Sequence, residues 1–119
     1  MAGLGGAISV AADAAAQHLL AGDASRLELV TISARYGLIH SVALLVITLL
    51  LRRDERGTFW LKAAGWLFVL GIVLFAWMLD LVAAGAPPVL TKLVPWGGTA
   101  FIAGWVALLL AAVTPGKAR

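Results

Sequence analysis

The chain has no cysteine, so disulfides, Cys-ligated zinc, iron–sulfur clusters and thiol nucleophiles are excluded at once. Charge is also scarce. Asp, Glu, Lys and Arg make up 13% of the 119 residues, against about 25% in soluble domains. Intrinsic disorder needs high charge and low hydrophobicity, and both are missing. What is present is apolar: 62% of the residues are hydrophobic and the mean hydropathy is +1.00. That composition is the mark of an integral membrane protein, and the length allows a single domain. The formal net charge is +3. Its nine basic residues are scattered among apolar runs and form no stripe, so nucleic acid is not an expected partner and the charge reads as membrane topology.

A spanning helix needs about 20 mostly apolar residues. Four segments qualify, at about 3–21, 36–51, 58–84 and 93–113. Gly22-Asp23, the charged turn 52–57 and Gly85-Ala86-Pro87-Pro88 separate them. The expected fold is all-α, a bundle of four transmembrane helices. Ser25-Arg26-Leu27-Glu28 fits a capping box, with Asp23 as a rival cap, so the second helix is expected to start near residue 26. The first segment has no Lys or Arg ahead of it and is interrupted by Asp13, so it reads as a retained span rather than a signal peptide.

With four spans, the N-terminus, the 52–57 turn and the C-terminus share one side. That side carries Arg52, Arg53, Arg56, Lys117 and Arg119, and the other carries Arg26, Arg35 and Lys92. The positive-inside rule then puts both termini in the cytoplasm. Trp60 and Trp96 suit interfacial belts, whereas Trp66, Trp77 and Trp105 are placed deeper, as packing residues.

The first span is the weakest. It is alanine-rich and contains Ser9, Asp13, Gln17 and His18. A central Asp costs about +3 kcal/mol on the insertion scale, which cancels the contribution of its few large apolar residues. Ser9, Asp13 and Gln17 form one stripe that should face the bundle or a wet cavity. Gly3, Ala7, Ala11 and Ala15 form a small-xxx-small stripe for close helix packing, and Ala103, Ala107 and Ala111 repeat it on the last span.

Several stretches together resemble one family, the YgdD-like or transmembrane-protein-256-like membrane proteins (domain of unknown function 423). They are the His18 that closes Asp13-Ala14-Ala15-Ala16-Gln17-His18, the Tyr36-Gly37-Leu38-Ile39-His40 run, Gly71-Ile72-Val73-Leu74-Phe75, Val94-Pro95-Trp96-Gly97-Gly98 and Gly104-Trp105. The chain departs from the family pattern at Asp13, Trp77, Met78 and Asp80. The resemblance implies a four-helix bundle without an established activity.

On this topology His18, Tyr36, His40 and Asp80 gather in one polar layer near the outer leaflet, beside Trp77, with Asp13 deeper. Three functional readings fit: a metal site, a quinone or lipid-headgroup pocket, and a proton relay in a small transporter. In a fourth, the layer is structural, with His18 and Tyr36 paired and Asp80 receiving a His N–H. No motif specifies a cofactor, and short loops leave no room for a soluble catalytic domain, so no enzyme is expected. The reading that results is a non-enzymatic accessory, assembly or ligand-binding subunit, with membrane lipids and either further copies or a larger complex as partners. The alternative is a proton-coupled transporter or a quinone- or lipid-binding protein using the intramembrane Asp and His.

Overall fold

The computed structural model describes residues 2–53 and 58–114. The expected turn at 54–57 with Arg56, and the basic residues Lys117 and Arg119, lie outside the described residues. Those described form four helical rods and no strand. The first is α1 (Ala2–Leu19) and the second α2 (Ala24–Arg53). The third joins α3 (Thr58–Gly71), a π-helical stretch at Ile72–Trp77 and α4 (Met78–Ala83). The fourth is a 3-10 turn at Pro88–Leu93 that runs into α5 (Val94–Val113).

The rival cap starts α2. The Asp23 carboxylate accepts the Arg26 amide at 3.1 Å and the Ser25 hydroxyl at 2.8 Å, and Leu27 N–H closes the first turn on the Asp23 carbonyl at 3.0 Å. Ser25 therefore donates its hydroxyl to the cap instead of being the cap, and the helix starts earlier than the capping-box reading expects. Gly85, with φ of 104°, turns the chain after α4, and Pro95 sits in the first turn of α5, where its missing N–H has no helical partner to lose.

Three rods, Ala24–Arg53, Thr58–Ala83 and Pro88–Val113, are long and apolar enough to cross a membrane. The 18-residue α1 is not among them, because Asp13, Gln17 and His18 dilute its alanines. It lies antiparallel on α2. A Cβ on Gly5 would fall 2.6 Å from Ser41 Oγ, one on Gly37 would collide with Ser9, and Ala16 packs with Val30. The same register brings Ala2 level with Leu44, short of Arg53. The face of α1 that packs is thus Gly5, Ser9 and Ala16, whereas Gly3, Ala7, Ala11 and Ala15 are all exposed. In an alanine-rich helix every face is small, so the seam is chosen by its complement on α2.

The closest seam runs between the third rod and α5. Phe101 lies where a Cβ on Gly71 would stand, and Phe68 lies where a Cβ on Gly104 would stand. At Gly97 the backbones meet, since a Cβ there would fall 2.5 Å from the Phe75 nitrogen. These pairs step in opposite directions along the two rods, so the packing is antiparallel. Phe68 and Ile72 are the largest side chains fully buried in the core. Ala107 is buried on the same seam, as its small-residue stripe predicts.

Candidate functional site

His40 is buried near the middle of α2, with 3% of its surface exposed. Trp105 on α5 donates its indole N–H to His40 Nε2 at 3.0 Å. An indole nitrogen only donates, so Nε2 must accept and the ring proton must sit on Nδ1. Nδ1–H then donates to the Tyr36 carbonyl one turn earlier, at 2.6 Å. The ring stacks on Phe101 with centroids 3.6 Å apart and planes 10° off parallel, and Phe68 meets it edge-on at 5.1 Å. Every polar atom of the imidazole has a partner, which leaves no lone pair for a metal or for proton exchange. Tyr36 forms the exposed edge of this knot, with its ring stacked on His40 at 6.2 Å and lying 4.9 Å from Phe75 and 6.2 Å from Phe101.

Of the expected layer, the structure brings Tyr36 and His40 together one turn apart on α2, well inside that helix, and sets the other members apart. His18 is near the end of α1, exposed, at the far end from where Gly5 meets Ser41, and makes no hydrogen bond among the described residues. Asp80 lies on α4, near Ser33 rather than His40. Asp13 is half-buried on α1. Among the described residues no three His, Asp or Glu side chains come close enough to hold a metal ion.

Asp80 and Trp77 form a second locus. They are three residues apart on one helix face and line an apolar cleft of about 530 Å³ between α1 and α4. Ile8, Ala12, Ala15 and Leu19 form one wall, Met78, Leu81 and Ala84 the other, and Ala16, Val30 and Ala83 the floor. Neither the buried Asp80 Oδ1 nor the buried Trp77 Nε1 has a hydrogen-bond partner. Ser33 cannot serve both needs, since its hydroxyl donates to the Ala76 carbonyl of the π-helical stretch at 2.9 Å. Such stretches recur at functional sites in helical proteins. Trp66, expected to pack, is instead 75% exposed.

Spacing within single spans does not single out Phe68, Gly71, Phe101 or Gly104, and Gly71, Gly104 and Trp105 enter the sequence reading through the family resemblance, with Trp105 also as a packing residue. A signal for them exists. Phe68-x-x-Gly71 and Phe101-x-x-Gly104 are the same motif on two antiparallel rods, so each Phe finds the other rod's Gly.

A family model described as "Protein of unknown function (DUF423)" matches residues 12–98. The UPF0382 membrane protein of Haemophilus influenzae is 34% identical over 107 residues, which cover 88% of this chain and 84% of that protein. The UPF0382 membrane protein YwdK of Bacillus subtilis is 34% identical over 79 residues, 66% of this chain. A Staphylococcus epidermidis relative with the same description is 37% identical over 76 residues, 64% of this chain. The chain spans 63% of the Bacillus protein and 60% of the Staphylococcus one. These relatives are bacterial membrane proteins, and no solved structure matches the chain.

Proposed function

We propose that this chain, which belongs to the DUF423 family of membrane proteins of unknown function, is a non-enzymatic subunit of the bacterial inner membrane that assembles with another membrane helix through α1. One observation carries this reading. The outward half of α1 presents Gly3, Ala7, Ala11, Ala15, Gln17 and His18, all exposed, with Asp13 half-buried at its edge. Lipid gives polar groups no partner, and small residues allow a second helix to come close. Much of the other exposed surface of the spans is apolar, with Ile39, Val42, Leu45, Ile102, Val106 and Leu109 facing outward, as lipid requires, and Arg35, Thr48, Lys62 and Thr99 are polar exceptions away from the rod ends.

In this reading α1 is the fourth and shortest membrane segment, and both ends of the chain face the cytoplasm. Arg52 and Arg53 at the end of α2 support that orientation. The assembly role is tested by the mass of the purified protein in mild detergent. Asp13→Leu and Ala11→Trp should each release the partner or reduce the oligomer while helical content is kept. A wild-type protein that runs as a bare monomer, or variants that assemble unchanged, would refute it. The proton-transporter reading has less support, because His40 has both ring nitrogens engaged and His18 lies apart from it.

A further inference from the structure

The geometry points to the cleft between α1 and α4 as a binding site for one phospholipid with a primary-ammonium headgroup, held by Asp80 and Trp77. The cleft borders the assembling face of α1, with Ala15 at the shared edge and Ala11 outside its lining, and the site follows from features of the cleft itself.

Its walls are apolar along most of α1, from Ile8 to Leu20, which suits an acyl chain lying parallel to the helices. Its volume of about 530 Å³ is of the size that ligand pockets have. Its polar groups are few and complementary to one kind of head. Asp80 is a carboxyl on an apolar wall, and the one ion pair among the described residues, Asp23 with Arg26, does not involve it. A carboxylate in such surroundings needs a cation that also carries N–H donors. Trp77, one turn earlier, has a buried indole N–H without a partner, which needs an acceptor and meets the cleft when the ring turns about its side-chain torsions. An ethanolamine phospholipid supplies both within a few bonds: its ammonium donates, and its phosphate and ester oxygens accept. A choline headgroup has the positive charge but no N–H, and a glycerol headgroup has hydroxyls but no cation. The buried Asp80 oxygen does not prevent contact, because χ2 of Asp is a broad, two-fold torsion that can turn either oxygen into the cleft. The cleft also lies at the end of the bundle near Gly22 and Gly85, where the chain turns between rods and where a headgroup belongs.

The test is native mass spectrometry of the full chain in mild detergent. Ethanolamine, choline and glycerol phospholipids with matched acyl chains are added separately. The wild type should retain one ethanolamine lipid about tenfold more strongly than the choline lipid, the scale of one charge-assisted hydrogen bond. Asp80→Asn should erase that preference. Trp77→Phe should weaken retention of all three lipids. Ala84→Trp, placing bulk at an exposed position of the cleft wall, should abolish binding with helical content unchanged. Ala11→Trp on the outward face of α1 should leave lipid retention as in the wild type, which separates this site from the assembly role. Equal retention of the ethanolamine and choline lipids by the wild type would overturn the proposal. So would a preference that survives Asp80→Asn, or binding that survives Ala84→Trp.

Discussion

Trp105 donates its indole N–H to His40 across 65 positions of sequence, and that bond ties α2 to α5 over the third rod. It fixes the imidazole as the neutral Nδ1–H tautomer. It also explains why a histidine is tolerated at 3% exposure among Phe68, Phe101 and Trp105.

Trp105→Phe keeps the ring and removes the donor, leaving Nε2 buried without a partner. It should lower stability by about 1–2 kcal/mol. His40→Ala removes the stacked ring as well and should cost about 2–4 kcal/mol. The double variant should cost less than the sum of the two, because each single change already breaks the shared bond. Thermal or denaturant unfolding in detergent measures all three.

The glycines separate into tight and open positions. Gly97→Ala drives a methyl against the backbone of Phe75 and should destabilise by about 1–3 kcal/mol. Gly3→Ala meets nothing within 4 Å and should be neutral or slightly stabilising. The same unfolding measurement distinguishes them, and an equal response at both positions would refute the seam described here.

Asp23 gives a pH dependence. The Arg26 amide and the Ser25 hydroxyl that it accepts, followed by the Arg26 charge, hold its carboxyl below the ordinary aspartate value. Its charged form is therefore favoured in the folded chain. The cap contributes fully above the unfolded aspartate pKa and fades as pH falls through the lower, folded one. Amide hydrogen exchange at Arg26 and Leu27, corrected for intrinsic rates, should show the first turn opening more as pH is lowered from about 5 to below about 3. Asp23→Asn should keep an acceptor and lose that pH dependence.

Orientation can be read directly, because the chain contains no native cysteine. Single cysteines at Arg53 and Val113 should label from the cytoplasmic face, and one at Thr91 from the opposite face. Labelling of Arg53 and Thr91 from the same face would reject the topology.

Much of the fold is legible in the sequence. The third span is expected at 58–84 and forms Thr58–Ala83; the last is expected at 93–113 and α5 is Val94–Val113. Hydropathy and turn residues set such limits locally. The capping choice was harder, since Asp23 and Ser25 are both good cap residues and only the direction of their mutual hydrogen bond decides. The π-helical stretch has no local signature in Ile72–Trp77; the close approach of Gly97 and the bond from Ser33 belong to other rods. The polar residues show the same limit. His40 was recognisable as buried and polar, but its partner depends on an antiparallel register between distant helices. The expected layer sets His18 beside Tyr36 and His40, whereas the register that pairs Ser9 with Gly37 and Ala16 with Val30 leaves His18 level with the first turns of α2.

The reciprocal Phe-x-x-Gly pairs have a mechanical consequence. Sliding α5 by one helical turn would drive Phe101 towards Phe75 or Leu67 instead of into the space over Gly71. Piston-like travel of α5 is blocked by ring against ring, so the third and fourth rods behave as one stiff slab. The bond from Trp105, the His40 stack on Phe101 and the Ser33 bond to Ala76 fasten α2 to the same slab, so the locked unit takes in three of the four rods.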